Sequence, residues 1–234
     1  MKSKLITFVM ALLLASSVMA DTGGNSVYID QTNADQSSVS ITQTGSNNNV
    51  GDTNMTTGTS FAIDGNSMSL TIDQNGMNNS ITGNFIGGNS TANITQDGNT
   101  NTSVLNMGNM GTSSGTLLQS ITGDNNSTTL NIGVTNDSGN YNLSTTLTGG
   151  SNSLTNNINS KNTNNTIVIT GDTNTYTTTQ IGANGTTLTG GHNITSSVIG
   201  DSNTLTVLQN GVTNPNSVTV NVTGSGTTTS ITQH

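Results

Sequence analysis

Few side chains in this 234-residue chain could do chemistry on another molecule. Its two histidines are His192, in a Gly-Gly-His-Asn turn, and His234, the last residue. Solenoid enzymes that cleave polysaccharides need clustered carboxylates and often Arg, whereas here eleven Asp are scattered and Arg is absent. The chain is read as a non-enzyme, with no catalytic residues and no cofactor.

The Asp residues raise a metal question. Asp52, Asp124, Asp172 and Asp201 each follow Gly, in "GDTN", "GDNN", "GDTN" and "GDSN". Neighbouring coils of a repeat could align such carboxylates for Ca²⁺, which takes several oxygen ligands. The calcium-binding nonapeptide Gly-Gly-x-Gly-x-Asp is missing, however. The favoured reading has each Asp capping its own turn through a backbone hydrogen bond, with no metal site.

Side-chain amides are the chemistry that recurs. A frame of Ser/Asn/Thr, five residues, Gln, four residues, Asn gives Ser37–Gln43–Asn48, Ser90–Gln96–Asn101 and Asn203–Gln209–Asn214. Variants are Asn25–Gln31–Gln36, Ser113–Gln119–Asp124, Asn174–Gln180–Gly185, Gln74–Asn79 and the closing Thr227–Gln233. Gln74, Gln96 and Gln119 stand 22 and 23 residues apart. An amide both donates and accepts, so identical residues stacked at the strand spacing satisfy one another in a ladder. These residues are expected to be structural ladder and assembly positions.

Such ladders need strands that stack. Period-two alternation in "SVSITQ", "SLTIDQ", "TIVITG", "TLTVLQ" and "SVTVNVTG" reads as short strands with one face buried. Inward candidates include Val39 and Ile41, Leu70 and Ile72, and Ile167 and Ile169. Between the strands come turn clusters, among them Gly65-Asn66, Gly76-Met77-Asn78, Gly87-Gly88-Asn89 and Gly98-Asn99, spaced eleven residues apart. Gly and Asn tolerate the positive φ of tight turns. Two half-coils make a coil of about 22 residues, and residues 21–234 then hold roughly nine to ten coils of an all-β solenoid. Met55, Met68, Met77, Met107 and Met110 are read as core fillers. Phe61, Phe85, Tyr28, Tyr141 and Tyr176 are read as core or ladder aromatics.

Composition agrees. Charged residues make up 6% and hydrophobic ones 29%, against roughly 25% and 45–50% in ordinary globular domains. One coil buries too little to offset its ordering entropy, so neighbours must complete the core. Residues 1–20, "MKSKLITFVMALLLASSVMA", have Lys2 and Lys4, a short apolar run and small residues before a cut expected after Ala20. That is a secretory signal, too short to span a bilayer. The remainder holds Lys161 as its one base, which argues against nucleic-acid binding, and no further apolar run long enough for a membrane span. Cys is absent, so no disulfide braces the exported chain.

The stretches "SSVSITQTGSNN", "STANITQDGNTN" and "NTLTVLQNGVTN" resemble the curlin repeats of curli fibre subunits. The resemblance implies a β-solenoid that polymerises outside the cell as a functional amyloid, serving adhesion and biofilm matrix. It also implies partners: further copies stacked end to end, a nucleator subunit and a dedicated export channel. In curlin repeats a second Gln follows the Asn after five residues, where this chain has Asn54, Phe85, Met107 or Val220. Residues 125–179 contain no Gln at all.

The ends point the same way. No charged cluster or Pro-rich guard flanks the first strand near Val27–Gln31 or the last motif, "TSITQH". Uncapped edge strands are templates for another chain. The competing expectation is a monomeric solenoid that binds ice or another surface through Thr-x-Thr pairs: Thr146/Thr148, Thr177/Thr179, Thr187/Thr189, Thr204/Thr206 and Thr227/Thr229. Against it, their sequence spacings are irregular.

Overall fold

The computed structural model describes residues 24–32, 36–51, 61–64, 67–83, 91–105, 115–131, 142–159, 164–181, 193–210 and 217–233. Every regular element among them is a β-strand, and every strand pair is parallel. The local cause is the alternation itself. Along Ser69–Met77, Leu70, Ile72 and Gln74 are buried while Thr71, Asp73 and Asn75 are exposed. Thr, Val and Ile favour this pleated, half-buried setting.

Each coil has a strand that enters one sharp corner and a strand that leaves it. The leaving strands form a nine-stranded parallel sheet, from Ser26–Val27 to Thr228–Gln233. We call this the post-turn row. The entering strands form the pre-turn row. It comprises a three-stranded sheet (Ser38–Ser46, Ser69–Met77, Thr91–Asp97) and a four-stranded sheet (Leu143–Ser144, Asn164–Thr166, Asn193–Thr195, Ser217–Thr219). Residues 115–121 bridge the two, with Leu117 donating to the Thr91 carbonyl (2.8 Å) and Leu143 to Thr116 (3.2 Å). A short pair, Ile29–Thr32 with Phe61–Asp64, extends the first two post-turn strands. The rows are offset at the start: among the described residues, the first post-turn strand has no pre-turn strand at its own level.

Coil length is uneven. Equivalent corner residues are 23, 31, 22, 25, 26, 22, 29 and 24 residues apart, so 22 is the minimum and not the norm. The paired strands and corners keep step regardless, because added chain length between them costs only a slowly growing loop entropy.

The core lies between the rows in two clusters. One joins Val50, Phe61, Ile63, Leu70, Ile72, Ile81 and Ile94 with residues as far along as Ile158. The other joins Ile121, Leu147, Ile167, Ile169, Tyr176, Val198, Leu205 and Val207. Met68 fills the first, as expected, but Met77 sits on the corner and is 49% exposed. The reason is its position: it follows Gly76, where the chain has already turned outward. Met55, Met107, Met110, Phe85, Tyr141, Gly65-Asn66 and Gly87-Gly88-Asn89 lie outside the described residues, as do residues 1–20.

Candidate functional site

The corner is built by Gly-x-x-Asn. Among the described residues it occurs as Gly45–Asn48, Gly76–Asn79, Gly98–Asn101, Gly123–Asn126, Gly149–Asn152, Gly171–Asn174 and Gly200–Asn203. The residue before each Asn is left-handed, with φ between 56° and 61° from Asn47 to Ser202. Thr100 and Thr173 are β-branched and adopt it at a cost of roughly 1–2 kcal/mol. Their amides recover part of this by donating to the carbonyls of Met77 and Gly150 in the preceding coils. The Gly is required by stacking. Gly76 has φ 119°, and a Cβ there would collide with the Gly98 carbonyl one coil on.

The Asn side chains form a continuous spine. Each Oδ1 from Asn25 through Asn48, Asn79, Asn101, Asn126, Asn152 and Asn174 to Asn203 accepts the backbone amide of its successor at 2.9–3.0 Å, ending on Thr227. Asn48 shows the completed pattern: its Nδ2 donates to Thr44 and Gly76, and its Oδ1 also accepts from the Asn79 side chain. A buried amide with two donations and two acceptances leaves nothing unsatisfied. The sequence frame held six members of this spine, Asn48, Asn79 and Asn101 as its closing residue and Asn25, Asn174 and Asn203 as its leading one, and missed Asn126 and Asn152. A Gly three residues earlier, shared by every spine Asn after Asn25, was the signal that marks those two.

Glutamine forms two ladders, in different rows. In the pre-turn row Gln43 Nε2 donates to Gln74 Oε1 (2.8 Å), and Gln74 Nε2 to Gln96 Oε1 (2.9 Å). In the post-turn row Gln180 Nε2 donates to Gln209 (2.9 Å), and Gln209 Nε2 to Gln233 (3.0 Å). Each ladder leans on the opposite row: Gln43 and Gln74 reach the carbonyls of Ser26 and Asn49, while Gln209 and Gln233 reach those of Asn193 and Ser217. Identical spacing from a polar residue therefore described two different places. Ser37 opens a pre-turn strand, where its Oγ accepts the Met68 amide, whereas Asn174 and Asn203 belong to the spine.

Two residues expected in a ladder are elsewhere. Gln31 lies on the post-turn row opposite Ile63, with no Gln beside it. Gln119 is out of step. Its amide bonds to the Asn93 carbonyl, which seats it opposite Ile94 and puts Ile121 opposite Gln96. The 23-residue step from Gln96 looked like one coil, but the corner step from Asn101 to Asn126 is 25. The ladder stops there, leaving Gln96 Nε2 and Gln119 Oε1 buried without partners. Gln119 Nε2 turns to Ser103, whose hydroxyl meets Thr128 (2.8 Å). Asn152 Nδ2, Asn156 Nδ2 and Asn165 Oδ1, in the next coils, are also unpartnered. Ser90, Ser113 and Asn214 lie outside the described residues. Gly111-Thr-Ser-Ser-Gly115 has the spacing of a serine-hydrolase elbow, and residues 111–114 of it lie outside the described residues.

The corner Asp residues act between coils and not within their own turns. Asp124 Oδ1 accepts the Asn99 amide (2.6 Å), Asp172 Oδ1 that of Gly150 (2.7 Å), and Asp201 Oδ1 that of Asp172 (2.8 Å). Stacking at the strand spacing brings a carboxylate nearer to the neighbouring corner's amide than to its own. Asp52 is outside the described residues, and among those described no three His, Cys, Asp or Glu are placed to hold a metal ion. His192 and His234 are likewise outside.

The outward side of the post-turn row carries hydroxyls in register. Ser127, Ser153, Thr175, Thr204 and Thr228 form one column, and Thr129, Thr155, Thr177, Thr206 and Ser230 the next. Irregular sequence spacing hid this, since chain lengths between the strands vary. The Thr177/Thr179 and Thr204/Thr206 pairs are offset by one step, because Thr177 aligns with Thr206 and Thr179 with Leu208. No described helix is long and apolar enough to cross a membrane. Comparison with protein-family models, curated proteins and solved structures finds no match to this chain.

Proposed function

We propose that this chain is a secreted structural protein, a subunit of a self-assembling, curli-like extracellular fibre that serves adhesion and matrix formation. The observation that carries the reading is the unbroken parallel stack: one nine-stranded sheet and one asparagine spine run through the described chain. A stack held by identical repeated contacts adds another copy by the rules that add another coil. Its terminal strands support this. Val39, Ile41 and Gln43 at one end, and Ile231 and Gln233 at the other, are half-buried where their counterparts within the stack are buried. Electron microscopy with fibre diffraction on the purified protein tests it. Filaments with a reflection near 4.7–4.8 Å are the expected result, and a protein that stays monomeric would overturn the reading.

The registered hydroxyl columns favour a second reading, binding of an ordered water or ice surface. They form a two-dimensional array, with about 4.8 Å between coils and about 7 Å along a strand. Inhibition of ice recrystallisation by the monomer, lost on Thr177→Tyr, is its test; an inactive monomer sinks it.

A further inference from the structure

We propose that one copy's Thr228–Gln233 edge binds the Ser26–Thr32 edge of a second copy, in the register that stacks Gln31 on Gln233. The inference deepens the fibre-subunit reading and rests on it, adding which edges meet and in what alignment.

The residue that points there is Gln31. In its own molecule it faces Ile63, an aliphatic neighbour that can neither donate nor accept. Yet it lies six residues after spine residue Asn25, as Gln180 follows Asn174, Gln209 follows Asn203 and Gln233 follows Thr227. With Asn25 laid over Thr227, the post-turn ladder Gln180–Gln209–Gln233 gains Gln31 as its next rung.

The same alignment continues two further layers, while Tyr28 falls on Ser230. Ser26 falls on Thr228, extending the hydroxyl column, and Ile29 falls on Ile231. Val27 falls on Thr229. Val27 is 37% exposed, whereas Val50 and Ile81, its successors in the column, are 0% exposed, so the edge is a core layer lacking its lid. Backbone groups are complementary too. Ser26 and Tyr28 donate to Asn48 and Val50 within the molecule. In a parallel pair alternate residues bond to opposite sides, so Val27, Ile29 and Gln31 present theirs outward. At the other edge Thr228, Ser230 and Thr232 do so by the same alternation. Charge permits the contact: residues 202–233 and 36–51 contain no Asp or Lys, and Asp30 would face neutral Thr232.

Absence of Cys allows a direct test on the full chain. Asp30→Cys and Thr232→Cys copies are mixed, assembled and oxidised. These outward positions would lie at the strand spacing of about 4.8 Å, within the Cα range that a disulfide bridges. The expected result is a reducible dimer from the mixture and from neither variant alone, with none from Ser26→Cys mixed with Thr232→Cys. Filaments that give no cross-link, or that link the mismatched pair, overturn the register while leaving self-assembly standing. If unmutated protein forms no filaments, both fall. Should the first pair block assembly, Ser26→Cys with Thr228→Cys reads the same register: a link supports it and none overturns it.

Discussion

The coils around Gln74 and those around Gln209 solve one problem in mirrored ways. Near the start, Gln occupies the pre-turn row in consecutive coils, while the described post-turn row has Ile63 beside the isolated Gln31. Near the end, Gln occupies the post-turn row, and Ile169, Val198 and Val222 hold the pre-turn place five residues before the spine. A buried amide is tolerated because it is stacked on its own kind and braced by a carbonyl of the opposite row. Between the two regions, residues 115–158 have neither ladder, and Gln119 Oε1, Asn152 Nδ2 and Asn156 Nδ2 are buried there without partners. So are Gln96 Nε2 before them and Asn165 Oδ1, Tyr176 Oη and Ser196 Oγ after them. The difference teaches that the amide ladder is tied to no particular row, provided that consecutive coils agree.

Corners separate the two ends most sharply. Gly76→Ala combines a left-handed backbone with a collision against Gly98, and should cost about 4 kcal/mol. Gly224→Ala meets only Thr227 Oγ1 at 3.7 Å and should be nearly neutral. Urea melts of the two variants check the contrast.

Removing a middle rung comes next. Gln74→Ala leaves Gln43 Nε2 and Gln96 Oε1 without their amide partner, and should cost about 3 kcal/mol. Hydrogen exchange should show lost protection over 38–101 with little change over 164–233. Gln209→Ala should do the reverse, and the double variant should be additive within about 0.5 kcal/mol. Protection lost equally in both regions would dissolve the comparison.

Alkali should distinguish the regions next. Burial pushes the Tyr176 phenol up from 10.0 to about 12, and its buried hydroxyl, like that of Ser196, makes no hydrogen bond that would offset this fully. The folded form then holds its proton where the unfolded form has released it. Stability is intact below pH 10 and falls as pH rises towards 12, by at most about 2–3 kcal/mol. Tyr176→Phe should flatten that loss in pH-dependent melts. The Gln74 region has no buried tyrosine, so its exchange rates should follow only the global transition.

The smallest effect belongs to the break itself. Gln119→Leu removes an unpartnered Oε1 along with the contact to Ser103, and should change stability by less than about 1 kcal/mol. Gln74→Leu, by the same assay, should be clearly destabilising.

Strand alternation and Gly-Asn corners made the solenoid legible, because both are local and survive any chain length between strands. Val39, Ile41, Leu70, Ile72, Ile167 and Ile169 face inward as their alternation requires. Register was harder to read, since it is a relation between coils separated by segments of unequal length. Gln119 looked regular at 23 residues from Gln96 because an extra pair of residues separates it from its own corner. Gln31 looked like a ladder member for the opposite reason: its local spacing is right, and the neighbour that would complete it is not in the same molecule's next coil. The corner carboxylates were found but misassigned, because a turn considered alone offers only its own amides.

The offset between the rows has a consequence for any filament built from this chain. Where the post-turn edges of two copies meet, the pre-turn row would pass from Ser217–Thr219 of one to Ser38–Ser46 of the next with one level vacant among the described residues. Among the described residues such a filament would be notched along one side, once every nine levels or roughly 43 Å. At each notch the described strands Ser217–Thr219 and Ser38–Ser46 would face a level with no described strand between them, and there the filament would bend, snap or take up a foreign strand.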